Sequence, residues 1–324
     1  MFKREKKKQE TAPKQSWIKK NWSTVLVVSA FVVGLGLLIY PSFADYWNSF
    51  HQTRAIMTYS EAVSNMSKED YAKEINRAKV YNRDLVSEGM NWNMSDSDKE
   101  KYESTLNFTG NGIMGYIQID KIKVTLPIYH GTNESVLQTS IGHIESSSLP
   151  VGAYSYDYDE GRVMDPQDGS HCILTGHRGL PSAKLFSNLD RMAEGDIFSL
   201  NILGETYTYQ VDQIRVVEPS DLSELDIVPG MDYCTLVTCT PYGINTHRLL
   251  IRGRRVGSED ADRYIYRIQP NAVQIKPAVV APLIAAPILL ILFIWAMVSP
   301  GLRKKRREKK LGKKKIKLNN HDEE

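Results

Sequence analysis

The chain has 324 residues and only three cysteines, at 172, 234 and 239. Three thiols are too few for a disulfide-stapled scaffold, and an odd count leaves at least one unpaired. Cys234 and Cys239 are an odd number of positions apart on what reads as one strand, so they face opposite sides and do not bridge each other. There is no C-x-x-C pair and no H-E-x-x-H, which removes the usual zinc spacings. No acidic cage for calcium, nucleotide motif or haem motif is legible either, so no cofactor is expected. Internal repeats are absent, and the only low-complexity segments are the lysine-rich ends.

Charge is missing from two long stretches. Thr24 to Tyr40 carries none, and neither does Pro277 to Pro300. Spanning a hydrocarbon layer takes ~20 apolar residues, with a lower range near ~17. The first run is adequate and the second comfortable; Pro282 and Pro287 are tolerated because neighbouring groups re-satisfy the freed carbonyls. Residues 1–22 hold eight Lys/Arg against two Asp/Glu, residues 278–324 eleven against four, and the remainder 22 against 32. Basic ends around an acidic middle argue against nucleic-acid binding, which would concentrate cations on the folded part. Lys19 and Lys20 before the first run, and Arg303 to Arg307 after the second, mark the cytoplasmic side of each. The expectation is two membrane spans, both termini in the cytoplasm and the middle on the outer face. The competing reading of the first run is a signal peptide cleaved near Pro41–Ala44.

The hydropathy period then divides the middle. Tyr71, Ile75, Ala78 and Leu85 recur at helical spacing, with Ser67 and Asp70 forming an N-cap signal. Met90 to Asp98 breaks that pattern as a loop, a short helix is expected over 97–106, and 107–112 forms a glycine-containing hinge. From Ile113 the period becomes two. Strands are expected at 113–119, 122–128, 171–175, 197–203, 205–211, 213–217, 233–239 and 247–254, with helical turns at 135–141 and 183–189. Many short strands with turn signals predict a mostly-β, closed or nearly closed barrel. The layout is therefore a basic segment 1–22, a span or signal anchor 23–43, a helical extension 44–112, a barrel 113–257, a linker 258–277, a second span 278–300 and a basic tail 301–324.

The chemistry concentrates at Thr235–Arg248 (TLVTCTPYGINTHR). Read as a hairpin centred between Gly243 and Ile244, it sets Cys239 directly across from Arg248. Directly opposed residues have Cα atoms ~4.5–5.5 Å apart and side chains on one face. A thiol beside a guanidinium suggests a nucleophile with a charge stabiliser. A cysteine nucleophile also needs a base, because the thiolate is the reactive form. Of seven histidines, His51 and His321 lie outside the barrel, His247 faces away from Cys239, and His130 and His143 have no special context. His171 and His177 remain. His171, like Cys172, sits inside a strand, whereas His177 follows the strand on a loop between Gly176 and Gly179.

These motifs together resemble a sortase, and specifically a class C, pilin-polymerising sortase of Gram-positive bacteria. The resemblance rests on T-L-x-T-C at 235–239, its continuation Thr240–Arg248, and Leu174-Thr175-Gly176-His177. Met114-Gly115-Tyr116-Ile117 and Leu126–Gly131 add to it. It covers most of 45–257 and the two-span layout. It implies a cysteine transpeptidase with Cys239 as nucleophile, His177 as general acid/base and Arg248 as oxyanion or substrate stabiliser. The implied substrate is a pilin with a C-terminal LPxTG-like signal, cleaved between Thr and Gly, and the implied acceptor is a lysine on another pilin. Many class C sortases carry an Asp-Pro-aromatic lid motif. This chain has Asn91-Trp92-Asn93-Met94-Ser95 there, so Trp92 and Asn91 are the lid candidates and the Asp-like contact is missing. Two further readings stand beside this one: a sortase anchoring proteins to a peptidoglycan precursor, and a non-catalytic membrane-tethered scaffold.

Overall fold

Alternating apolar residues build eight strands that close on themselves in a computed structural model describing residues 22–257 together with 287, 288, 290 and 291. The strands are β1 Ile113–Ile119, β2 Val124–His130, β3 Ile141–His143, β6 Ser170–Thr175, β7 Ile197–Ile202, β8 Glu205–Val217, β9 Asp232–Thr240 and β10 His247–Arg255. A two-stranded side sheet, β4 Tyr156–Asp157 and β5 Arg162–Val163, sits between β3 and β6 in the chain. Round the barrel the order is β1, β2, β3, β6, β9, β10, β8, β7. Closure leaves no free edge among these strands. The inward set, including Met114, Ile117, Leu126, Leu174, Leu200, Leu236 and Ile251, forms one continuous buried core.

Among residues 22–257, four α-helices accompany the barrel: α1 Trp22–Ser64, α2 Lys68–Glu88, α3 Asp96–Ser104 and α4 Glu134–Leu137. Ser67 caps α2 by accepting from the Asp70 N–H at 3.1 Å, as its spacing predicts. Tyr71, Ile75, Ala78 and Leu85 form the face that packs on the core. Buried polar side chains then pin α1, α2 and α3. Tyr59 of α1 donates to the Met114 carbonyl at 2.7 Å and accepts from the Leu203 N–H at 2.8 Å. Asn82 of α2 donates to the carbonyls of Leu149 and Gly152 and accepts from the Leu149 N–H. Tyr102 of α3 lies against His143 and accepts from the Gly131 N–H at 3.0 Å.

Three expectations change. The strands expected at 205–211 and 213–217 are one strand, β8. Its pairing with β10 skips a residue at Asp212, because Arg252 pairs with Gln213 and Gly253 with Val211. Asp212 is thus a bulge, and its carboxylate takes both arms of Arg252 at 3.1 and 3.0 Å. The helical turn expected over 135–141 ends at Leu137, and Ile141 instead opens β3, parallel to β2. The expected turn at 183–189 yields a 3-10 turn only at Leu189–Arg191. Among the described residues, only α1 is long and apolar enough to cross a membrane. The second span expected over 278–300 falls outside the described residues apart from the four helical positions named above, as do the linker 258–277 and the tail 301–324.

Candidate active site

The β9–β10 register places Cys239 opposite Arg248, with Thr240 opposite His247 and Leu249 opposite Thr238. The hairpin read from the sequence therefore holds. Strand β6 runs parallel to β9 on its other side, with Thr175 level with Val237. Continuing that register by two residues sets His177 level with Cys239. Two hydrogen bonds carry the alignment past the strand end: the Gly176 N–H to the Val237 carbonyl at 3.1 Å, and the Thr238 hydroxyl to the Gly176 carbonyl at 2.7 Å. Histidine, cysteine and arginine thus stand on three neighbouring strands at one rim of the barrel, each partly exposed. The Arg248 guanidinium donates to the carbonyls of Asn245 and His247 at 3.3 and 3.2 Å, which holds it back along its own loop.

Sequence reading missed several residues around this rim. Glu134, the first residue of α4, brings a carboxylate oxygen 3.9 Å from His177 Nε2. Arg178 follows His177 and is almost wholly buried. It donates to the Thr240 hydroxyl at 3.2 Å, pairs with Asp190 at 2.5 Å, and lies over the Tyr242 ring 5.9 Å from its centroid. One side chain therefore ties the loop after His177 to the residues just past Cys239. The only sequence signal was its adjacency to His177. Gly179 completes the contact: it has φ +80°, and a Cβ there would come within 2.8 Å of the Tyr242 ring.

The loop between α2 and α3 crosses the same side of the barrel. Met90 packs on Ile173, Leu225, Val237 and Leu250. Val237 lies two residues from Cys239 and Leu250 two from Arg248, so all four share one strand face. Asn91 accepts from the Ser146 hydroxyl at 2.7 Å through its carbonyl, while Trp92 is 40 % exposed. Behind the loop lies a cleft of about 150 Å³ lined by Tyr81, Leu85, Glu88, Met94 and Asp98 among others. The loop is thus held to the barrel at Met90 and Asn91 and is loosely packed on its inner side.

The other histidines and cysteines differ. His171 is buried, bonded through Nδ1 to the Asp226 carbonyl at 2.9 Å and through Nε2 to Thr235 Oγ1 at 2.7 Å. Burial lowers its pKa to about 4. Cys172 and Cys234 face each other across β6 and β9 inside the core, and burial pushes the Cys234 thiol well up. Among the described residues, no group of three or more His, Cys, Asp or Glu is placed to hold a metal ion.

Comparison with known proteins follows the same outline. The Sortase domain family model matches residues 117–256. The chain is 56 % identical to sortase C1 from Streptococcus agalactiae over 63 % of this chain and 98 % of that one, with a TM-score of 0.58. It is 39 % identical to Streptococcus pneumoniae sortase C, covering 63 % and 96 % at a TM-score of 0.52; that study concerns catalysis and pilin substrate specificity. It is 37 % identical to Clostridium perfringens sortase C, solved with the C-terminal cell wall sorting motif, covering 63 % and 98 % at a TM-score of 0.52.

Proposed function

This chain belongs to the sortase family, on its class C branch, and from that premise we propose that it is a membrane-anchored transpeptidase joining pilin subunits by isopeptide bonds. The observation that carries this reading is the in-register opposition of Cys239 and Arg248, with His177 level with the cysteine one strand away.

In this reading the Cys239 thiolate attacks the Thr carbonyl of an LPxTG-like signal. Charge develops on that oxygen, and Arg248 supplies fixed donors to it; losing one such donor typically costs ~10²–10³ in rate. His177 protonates the departing Gly amine, leaving a thioacyl-enzyme. A lysine amine from another pilin then attacks the thioester. His177 takes the proton of that amine, the amide forms and the Cys239 sulfur leaves. Splitting the exchange in two keeps the acyl group activated until an acceptor arrives. Arg178 and Thr240 keep the two halves of the site in register. Residues 88–98 act as a lid over the face that leads to Cys239, with Met90 seated on that face and Trp92 as the exposed aromatic.

The run 23–43 serves as an anchor and 278–300 as a second span. Both termini then lie in the cytoplasm and the catalytic domain on the outer side, as the flanking Lys and Arg indicate.

The test is co-expression of the full chain with a pilin carrying an LPxTG-like signal, followed by immunoblotting. The wild type is expected to give high-molecular-weight ladders and Cys239→Ala none. Ladders persisting with Cys239→Ala would remove the nucleophile assignment. Cleavage of the signal without ladders would point to a different acceptor.

A further inference from the structure

The first turns of α1 beyond the apolar run have two unlike faces. Asp45, Asn48 and Gln52, at spacings of three and four, face the barrel. The Asp45 carboxylate accepts from the Lys184 N–H at 2.9 Å, the Asn48 amide donates to the Ser182 carbonyl at 2.8 Å, and the Gln52 amide donates to the Thr139 carbonyl at 2.6 Å. Residues 182–184 lie in the loop after His177, and Thr139 lies just past α4, which carries Glu134. The helix therefore grips both segments that flank the histidine.

The opposite face is aromatic and bare. Phe43, Tyr46, Trp47 and Phe50 are between 53 % and 69 % exposed. They are not scattered: Phe43 stacks on Trp47 at 6.2 Å between ring centroids, Trp47 meets His51 at 5.0 Å, and His51 meets Phe50 at 5.9 Å. A contiguous exposed aromatic patch of this kind marks an interaction surface.

What covers it follows from its place in the chain. Residues 23–44 carry no charge, and at ~1.5 Å per helical residue that run matches a hydrocarbon layer ~30 Å thick. The aromatic cluster begins where the run ends, and the exposed Arg54 comes one turn after Phe50. An apolar run followed by Trp and Tyr is the order found at a membrane–water interface, because their amphipathic rings prefer the headgroup level. We propose that the Phe43–His51 face rests in the headgroup layer of a phospholipid bilayer and so holds the His177 rim of the barrel at the membrane surface. This rests on the anchor reading of 23–43.

The test uses the full chain reconstituted in phosphatidylglycerol–phosphatidylethanolamine vesicles. In a Cys239→Ala background, whose two remaining thiols are buried, single spin labels go on Phe43→Cys, Trp47→Cys and Phe50→Cys. Leu37→Cys reports the anchor and Lys73→Cys the water phase. The readout is relaxation by dissolved oxygen against a water-soluble nickel chelate. The expected oxygen-to-nickel ratio at 43, 47 and 50 is several-fold above that at 73. Water-like values at those three with a membrane-like value at 37 would overturn the proposal and leave the anchor standing. Water-like values at 37 as well would overturn both. Exclusion of both reagents with spin–spin broadening would assign the face to a second copy and overturn it too.

Discussion

The same three strands carry the same three residue types at both ends, with opposite fates. At the open rim stand His177 just past β6, Cys239 on β9 and Arg248 on β10. Further down are His171, Cys234 and Arg255. The rim residues are partly exposed, and Arg248 bonds only to carbonyls of its own loop. The inner ones are buried and committed. His171 is bonded at both nitrogens, Cys234 faces Cys172, and Arg255 lies 3.8 Å from Asp232. The rings of Tyr156, Tyr158, Tyr207 and Tyr209 surround that guanidinium. Residue type does not assign chemistry here; what does is whether the strand position has escaped the core with capacity left over.

The two arginines give the sharpest contrast. Full burial raises the Asp232 carboxyl above its ordinary range, and Arg255 offsets part of that together with Ser170, the Ala153 N–H and Tyr209. Arg255→Met should cost about 3–5 kcal/mol of stability, because breaking a buried pair strands its partner. Urea denaturation measures this, and alkylation of Cys239 in the still-folded variant should proceed at the wild-type rate. Arg248→Lys should do the reverse: turnover of a sorting-signal peptide falls ~10²–10³-fold, since lysine lacks the planar fork, while the denaturation midpoint stays put. If Arg248→Lys unfolds the chain and Arg255→Met silences it, the comparison is wrong.

His171 provides the next test. Its folded pKa, about 4, lies below the ordinary 6.5, chiefly through burial; the Asp226 carbonyl and the charges of Arg252, Asp212 and Asp226 modulate it, and the Tyr233 ring packs against it. Between those values the unfolded chain binds the extra proton and the folded one resists it, so stability rises with pH through that window. The contribution, present above about 6.5, should fall by about 3 kcal/mol as pH drops to about 4. His171→Gln should flatten that part of the stability–pH curve, measured by thermal melts. The smallest effect belongs to the proposed lid: Trp92→Ala should raise the Cys239 labelling rate only a few-fold, because Met90 keeps the loop seated. Equal rates for wild type and Trp92→Ala would remove Trp92 as a plug.

Much of this was legible in the sequence because strand pairing across one hairpin is local. The Cys239–Arg248 opposition needs only a period of two and a turn centre, and the β9–β10 ladder has no bulge. β8 was read as two strands because Asp212 interrupts an otherwise alternating run, and only its partner Arg252 shows that the break is a bulge. β3 is three residues long and parallel to β2, so nothing local announces it. Arg178, Glu134 and Met90 were missed for a shared reason: each acts on residues far away in the chain, and pattern reading sees neighbours. Asp232 and Arg255 each lie one position beyond an expected strand, and only closure of the barrel, which buries both, sets them apart from ordinary surface charges.

Gly179 has a consequence for anyone re-engineering this protein. Its bare backbone is the seat for the Tyr242 ring, so segments 176–190 and 241–246 fit like two leaves of one hinge. Exchanging either alone for the counterpart of another protein to broaden the accepted cargo would install a mismatch at the seam. The two have to be transplanted as a matched set.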